Sequence, residues 1–138
     1  MMSDTSGFPL SEFLDMAVVD EGGGRATARL DAGPVHHNPH GFVHGAVLFA
    51  MADTSMGAAV MGVLGPGQRC STIELQLRFL RPAVTGLLTA ETAVVKPGRK
   101  VIHLESRIAD DEGRLIATAT SSFAVVDEPP ESIDAAAR

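Results

Sequence analysis

Residues 38–45 read NPHGFVHG and lead directly into residues 46–62, AVLFAMADTSMGAAVMG. The second segment has the length of a helix and is apolar on almost every side, although it carries one carboxylate, Asp53. A helix that is apolar all round belongs inside a structure, because most of its surface gains by leaving water. The segment therefore predicts a core helix around which the rest of the chain is arranged.

Asp53 is the first functional candidate in this helix. An ionised carboxylate inside a core loses hydration that is worth several kcal/mol unless partners or bound water replace it. Desolvation at such a position is also expected to make Asp53 more basic than a free aspartate. The sequence thus predicts a carboxylate with a chemical task, since an ordinary core would carry an apolar residue there.

Composition limits the classes of protein to which the chain can belong. With 138 residues and 45% hydrophobic content, it predicts a single domain over residues 1–138 with a core at about residues 15–126. The net charge of -6 and the pI near 5.2 disfavour nucleic acid or an anionic membrane as the main partner. The helix is too short to span a bilayer comfortably and contains Asp53, so a membrane protein is not expected.

Cysteine usage indicates the compartment. Cys70 is the single cysteine, which excludes an internal disulfide framework. The N-terminus lacks both a basic segment and a continuous apolar segment of the kind found in signal peptides. A cytoplasmic location is therefore expected.

The remaining elements follow from periodicity and from glycine and proline. Helical spacing predicts a first helix over residues 11–19, and three glycines at 22–24 precede a strand over 25–30. Further strands are predicted at residues 69–80, 87–96, 101–109 and 114–126, with a frayed tail at 128–138. In the first of these four strands, alternation assigns Leu75 to one face and Thr72 to the other, wetter face. A buried helix followed by an antiparallel meander predicts an α+β fold in which a curved sheet wraps around the helix.

These residues resemble the hotdog-fold acyl-CoA thioesterases, especially the phenylacetate-pathway type. That family has an N-x-x-G-x-x-H-G-G signature followed by a helical Asp, and the matching residues here are Asn38, Gly41, His44, Gly45 and Asp53. The similarity continues through Thr72, residues 79–83 (FLRPA) and the turn at 98–100 (GRK), and it covers roughly residues 33–126. Ala46 departs from the pattern, because the family usually has a second glycine there.

The resemblance implies hydrolysis of an acyl-CoA thioester, which needs a polarised carbonyl, a positioned water and a base. Gly45 at the helix N-terminus offers an unpaired N–H backed by the helix dipole. Asp53 follows eight residues later, about 12 Å along the axis at 1.5 Å per residue, which is too far to share one carbonyl. The two groups must therefore come from different chains, and this agrees with the family, whose sites lie between subunits. A dimer is expected, and the family's paired dimers favour a tetramer.

Several roles remain open at this point. Asp53 would act as general base or as nucleophile. Asn38 either binds the thioester or closes an Asx turn before Pro39, and His44 either contacts the thioester or bonds to backbone. Thr72 matches a family position that orients the water or the Asp, but it could also be an ordinary strand residue.

The predicted binding residues for CoA are three basic side chains, which suit its phosphates in an otherwise acidic chain, and one glycine of the same turn; the resemblance supports them. They are Arg81 at a strand end and Gly98, Arg99 and Lys100 in a turn. CoA is part of the substrate, so no separate cofactor is expected. Sequence does not choose between a small aromatic and a short or medium aliphatic acyl group.

Other classes of function are less well matched. His36, His37, His40 and His44 could suggest zinc, but their spacing is not that of a His-Glu-x-x-His helix, so no metal is predicted. There is no Gly-x-Ser-x-Gly elbow for a serine hydrolase. A dehydratase would need a His paired with a carboxylate at another spacing. The main alternative is a hotdog module that binds acyl-CoA without hydrolysing it.

Overall fold

The computed structural model describes residues 3–4 and 7–128. Its helices are α1 (Pro9–Leu14), a short 3₁₀ helix (Pro34–His36) and α2 (Gly45–Met61). The strands within the described residues are β1 (Ser3–Asp4), β2 (Met16–Gly22), β3 (Arg25–Ala32), β4 (Gln68–Phe79), β5 (Gly86–Pro97), β6 (Val101–Ala109) and β7 (Leu115–Asp127). Most of the predicted tail at 128–138 lies outside the described residues.

The strands form one antiparallel sheet in the order β1-β2-β3-β5-β6-β7-β4, and α2 packs against it. Met51 and Met56 of α2 are fully buried among the inward side chains of the sheet, such as Leu88 and Ile102. This is the hotdog arrangement predicted from the sequence, a sheet curved around one main helix. No helix in the described part of the chain is long and apolar enough to cross a membrane.

The first predicted helix is wrong beyond residue 14. Helix α1 ends at Leu14, Asp15 takes a left-handed conformation with φ of 55°, and β2 starts at Met16. Met16 and Val18 are buried while Ala17 is exposed, which is the alternation of a strand. A short run of apolar and acidic residues fits both periods, and pairing with β3 decides in favour of the strand.

The predicted meander is also wrong at β4, which pairs with β7 and not with β5. Strands β5, β6 and β7 follow one another through short turns, so they must be neighbours. The longer irregular connection at residues 80–85 lets the chain cross to the other side of these strands. Strand β4 therefore becomes an edge of the sheet and leaves one row of its backbone groups unpaired.

Helix α2 is less completely enclosed than its composition predicts. Its buried residues face the sheet, but Phe49 is 42% exposed and Met61 is 46% exposed, and Asp53 is half-buried. These three side chains lie on one open stripe of the helix, because Asp53 follows Phe49 by about one turn and Met61 follows Asp53 by about two. The expectation of a fully buried Asp53 is therefore not met in the single chain.

Candidate active site

A cavity of about 440 Å³ opens at the N-terminus of α2. One wall is the loop before the helix, and the other is the end of β4 with the residues that follow it. The cavity is lined by Asn38, Phe42, Val43, Gly45, Leu48, Phe79, Leu80, Arg81, Pro82 and Ala83. Three predicted site residues, Asn38, Gly45 and Arg81, therefore meet in one mainly apolar cavity.

Gly45 is the first residue of α2, and its N–H makes no hydrogen bond within the described residues. The first N–H groups of a helix have no partner inside the helix and carry its positive end. The ring of Phe79 lies directly over Gly45, so that a Cβ at this position would lie 2.8 Å from a ring carbon. Glycine thus leaves the N–H accessible beside an aromatic wall.

The amide of Asn38 uses its oxygen in hydrogen bonds and keeps its nitrogen available as a donor. Its Oδ1 accepts hydrogen bonds from the backbone N–H of His40 at 2.9 Å and of Phe42 at 3.2 Å. These two donors fix the orientation of the amide, so the Nδ2 group is left as a donor. Within the described residues this nitrogen has no partner. The Asx-type turn that sequence allowed is present, and it still leaves Asn38 a free donor at the cavity.

His44 is the N-cap of α2, and its Nδ1 accepts a hydrogen bond from the N–H of Ala46 at 2.9 Å. A nitrogen that accepts cannot carry a proton, so in the neutral ring the proton is on Nε2. The second N–H of the helix is therefore used internally, whereas the N–H of Gly45 has no acceptor among the residues that the structure describes. Of the two readings open for His44, backbone capping is the contact observed.

Asp53 and Thr72 form the second part of the site. The hydroxyl of Thr72 donates to Oδ1 of Asp53 at 2.8 Å, and Oδ2 has no hydrogen bond within the described residues. Alternation predicts Thr72 on the wetter face of β4, opposite that of Leu75; its side chain is exposed, but it lies on the same side of the strand as Leu75, so the predicted separation of the two is wrong. A bulge between Thr72 and Glu74 inserts one residue, which reverses the alternation and turns Thr72 toward the helix.

The two parts of the site do not meet within one chain. Gly45 and Asp53 are separated by about two helical turns, or about 12 Å along the axis. Asp53 is not among the residues that line the cavity at the N-terminus of α2. The described part of one chain thus presents two unpaired donors at one place and an acceptor carboxylate at another.

Comparison with known proteins agrees with this arrangement. A model of the thioesterase superfamily matches residues 40–117. The structure of a phenylacetic acid degradation-related protein from Ralstonia eutropha JMP134 is 34% identical, with a TM-score of 0.77 over 86% of this chain and 92% of that one. A Bacillus halodurans protein whose crystal structure contains CoA is 31% identical, with a TM-score of 0.78 over 88% of this chain and 78% of that one.

The chain belongs to the thioesterase superfamily. It has the hotdog fold of that superfamily and is similar to its phenylacetate-pathway type. Among relatives, the 1,4-dihydroxy-2-naphthoyl-CoA hydrolase of Listeria monocytogenes is 23% identical over 116 residues, which are 84% of this chain and 94% of that protein. Thioester hydrolysis is therefore the class of reaction of this enzyme, as the sequence predicted.

The predicted phosphate binders of this thioesterase fall into two places. Arg81 lines the cavity beside Gly45. Gly98, Arg99 and Lys100 instead line a cavity of about 570 Å³ that also includes Val63 and Leu64, just after the C-terminus of α2. The two cavities lie at opposite ends of a helix of 17 residues, which is about 25 Å long.

Cys70 lies on β4 near the Asp53 end of the thioesterase site, with its Sγ 3.9 Å from the carbonyl oxygen of Gly57. Burial raises the pKa of the Cys70 thiol, and the negative charge of Asp53 raises that pKa further. A thiol with a raised pKa is a poor nucleophile at neutral pH. Cys70 is therefore a poor candidate for the nucleophile of this region.

Sequence reasoning missed a buried chain of hydroxyl groups behind Asp53. Ser55 donates to the carbonyl of Ala52 and contacts the hydroxyl of Thr92 at 2.7 Å, and Thr92 donates to Ser106 at 2.8 Å. All three hydroxyl side chains are buried. A serine in an apolar helix could have suggested a buried hydrogen bond. Its partners could not be predicted, because Thr92 and Ser106 are far from Ser55 in the sequence.

Proposed function

We propose that this protein is an acyl-CoA thioesterase whose active site is completed by a second copy of the same chain. The observation that carries the proposal is the separation of Gly45 from Asp53. Each position has an unused hydrogen-bonding group, and each is one half of what thioester hydrolysis requires. Two copies related by a two-fold axis can bring both halves together twice.

The surface expected to meet the partner runs along the open side of α2 and the edge strand β4. Phe49 is 42% exposed on the helix, and Ile73 and Phe79 on the strand are 55% and 58% exposed. Apolar groups beside an unpaired strand edge favour association, because both the side chains and the backbone groups gain partners. Two antiparallel α2 helices that meet here can oppose Gly45 of one copy to Asp53 of the other.

The same pairing has a consequence for the CoA phosphates. If Gly45 of one helix opposes Asp53 of the other, residues near Met61 oppose the loop around Asn38. The turn with Arg99 and Lys100 lies next to the C-terminal end of α2. In the proposed dimer, this turn of one copy therefore approaches the Gly45 cavity of the other. Cationic groups there would bind the nucleotide while the thioester reaches Gly45.

In the proposed reaction, the Gly45 N–H and the Asn38 amide donate to the thioester oxygen and stabilise the charge that develops on it. The hydroxyl of Thr72 holds one oxygen of Asp53, and the other oxygen faces the carbonyl. Asp53 either takes a proton from water as the C–O bond forms or attacks the carbonyl itself. On the first route the C–S bond breaks, the free acid forms, and Asp53 returns the proton that it took from water to the departing CoA thiolate. On the second route CoA leaves as a thiolate that is protonated by solvent, and water then hydrolyses the mixed anhydride on Asp53 to give the free acid and restore the carboxylate.

The acyl group would lie against the apolar wall of the cavity, near Phe42, Leu48 and Phe79. A small aromatic ring or a short to medium chain fits the apolar character of this wall. Met51 and Met56, in the middle of α2, are fully buried and are not among the residues that line this cavity. A cytoplasmic location and assembly of two dimers into a tetramer stay predictions.

The first experiment measures release of free thiol from a panel of aromatic and aliphatic acyl-CoA esters. We expect turnover by the native protein, and the fastest substrate names the acyl class. Asp53→Asn should lower kcat by about 10²–10⁴ while the oligomeric state and CoA binding persist. Tight binding of the esters without any thiol release would instead favour the non-hydrolytic binding module.

A second experiment tests whether the site is shared between chains. Asp53→Asn and Asn38→Ala are purified separately, then mixed, unfolded and refolded together. A mixed dimer contains one site with both native residues, so the mixture should recover about one quarter of native activity when chains pair at random. A mixture no more active than the two variants measured separately would show that each site lies within one chain.

A further inference from the structure

The cavity beside Gly45 is bounded by two irregular segments, the loop at residues 37–44 and the connection at residues 80–85. Two hydrogen bonds join these segments at adjacent positions. The N–H of Val43 donates to the carbonyl of Ala83 at 2.8 Å, and Nε2 of His37 lies 2.6 Å from the carbonyl oxygen of Val84. His37 and Val43 are themselves paired across an isolated bridge. The side chain of His37 is therefore part of what holds the two walls together.

The four neighbouring histidines differ in what their rings contact. His36 is buried, and its ring bridges the N–H of Gly33 and the carbonyl of Leu14, away from the cavity. His44 caps α2. The ring of His40 is exposed and makes no hydrogen bond within the described residues. Within this part of the chain, His37 is the histidine whose ring reaches from one wall of the cavity to the other.

The bond of His37 has a defined direction. A backbone carbonyl oxygen only accepts hydrogen bonds, so Nε2 of His37 is protonated and donates a hydrogen bond to the carbonyl of Val84. The residue after His37 is Asn38, which offers its amide to the cavity, and the three residues before Val84 are Arg81, Pro82 and Ala83, which line the other wall. A shift of either segment would change the distance between Asn38 and Arg81.

We propose that His37 is a positioning residue that sets the width of this cavity and thereby the fit of the thioester in it. The inference rests on the proposed function, because it assigns the cavity to the acyl-CoA substrate. Without the ring of His37, the hydrogen bond between Val43 and Ala83 is the one of the two described bonds that still joins the walls. The segment at residues 80–85 therefore separates from the loop more often. Gly45 and Asp53 are untouched by this change, so binding should suffer more than the chemical step.

The test compares His37→Ala with His37→Gln, whose amide can still donate to Val84, and with His40→Ala as the matched control. For the fastest ester of the panel, KM of His37→Ala should rise about three- to tenfold with kcat within about twofold, the size expected for one neutral hydrogen bond. His37→Gln and His40→Ala should keep KM within about twofold of native. Amide hydrogen exchange in residues 80–86 should become faster in His37→Ala alone.

The result that would overturn the inference is a His37→Ala protein with native KM and native exchange in residues 80–86. A His37→Gln protein as impaired as His37→Ala in both measurements would overturn it as well, because the donated hydrogen bond would then be irrelevant. If His37→Ala does not fold, His37→Asn replaces it, since the shorter amide falls short of Val84. Failure of all esters to release thiol would refute the proposed function, and the exchange measurement would still decide the role of His37.

Discussion

Asp53 and Ser55 lie two residues apart on α2, about 200° apart around its axis, and their surroundings differ. Ser55 faces the middle of the sheet, is fully buried, and is linked through Thr92 to Ser106. Asp53 faces the edge strand, is half-buried, and bonds through one oxygen to Thr72. Ser55 is thus satisfied inside its own chain, whereas Asp53 has one oxygen without a partner among the described residues.

The difference separates a structural role, that of Ser55, from the chemical role proposed for Asp53. Buried polar groups in folded proteins have hydrogen-bond partners, and a complete network fixes the arrangement of the elements that it joins. The contact between Ser55 and Thr92 helps to fix how α2 is rotated about its own axis. The apolar side chains of α2 give the helix little preference for one rotation, because they lie on almost every side of it. A carboxylate that is only half satisfied at an open face contributes less to the fold and is free to act on a substrate.

The strongest test of this contrast is Asp53→Asn. The amide can still accept from Thr72 but can neither take a proton from water nor attack the carbonyl, so kcat should fall by about 10²–10⁴. The midpoint of urea unfolding should stay close to that of the native protein. Parallel assays and urea titrations check both expectations, and a large loss of stability with retained turnover would reverse the assignment of Asp53.

Ser55→Ala should show the opposite pattern. Loss of the buried hydroxyl deprives Thr92 of a partner and should lower the free energy of unfolding by about 1–2 kcal/mol. Turnover by the folded protein should stay within about threefold of native. Thr92→Val should lower the free energy of unfolding by a similar amount. The double variant should lose less than the sum of the two single losses, because both changes break the same contact. Additive losses in urea titrations would show that the two hydroxyls do not act together.

The two faces also differ in how well sequence predicts them. The open face was predictable, since a lone carboxylate in an apolar helix and its spacing of eight residues from Gly45 are local features. The buried face was not, because Ser55 and Thr92 are 37 residues apart in the chain. The contact of His37 with Val84 spans 47 residues and was invisible for the same reason.

Errors in the predicted elements have comparable causes. The fold class, α2 and the strands after it followed from long segments with clear periodicity. Strand β2 was read as helix because its apolar and acidic residues suit either period until β3 pairs with them. Alternation predicts Thr72 on the opposite face of β4 from Leu75, because a bulge of one residue leaves no mark in the sequence.

Thr72 gives a smaller test on the side of Asp53. Thr72→Val removes the hydroxyl that orients the carboxylate while it keeps the shape of the side chain, so kcat should fall by roughly tenfold. Thr72→Ser, which retains the hydroxyl, should recover most of that loss. Steady-state kinetics of the three proteins provide the measurement. Equal values of kcat for the valine and serine variants would mean that the hydroxyl is not required to position Asp53.

The smallest expected effect uses Cys70 to report the charge on the open face. Burial raises the pKa of the Cys70 thiol, and the negative charge of Asp53 raises it further by disfavouring the thiolate. Asp53→Asn removes the second cause, so the pKa of Cys70 should fall and its alkylation by iodoacetamide at a fixed alkaline pH should be faster. Thr72→Val keeps the charge of Asp53 and serves as the control. If the pH profile of alkylation is the same in the native and Asp53→Asn proteins, Asp53 carries no charge that Cys70 senses, and its assignment as an ionised base or nucleophile loses support.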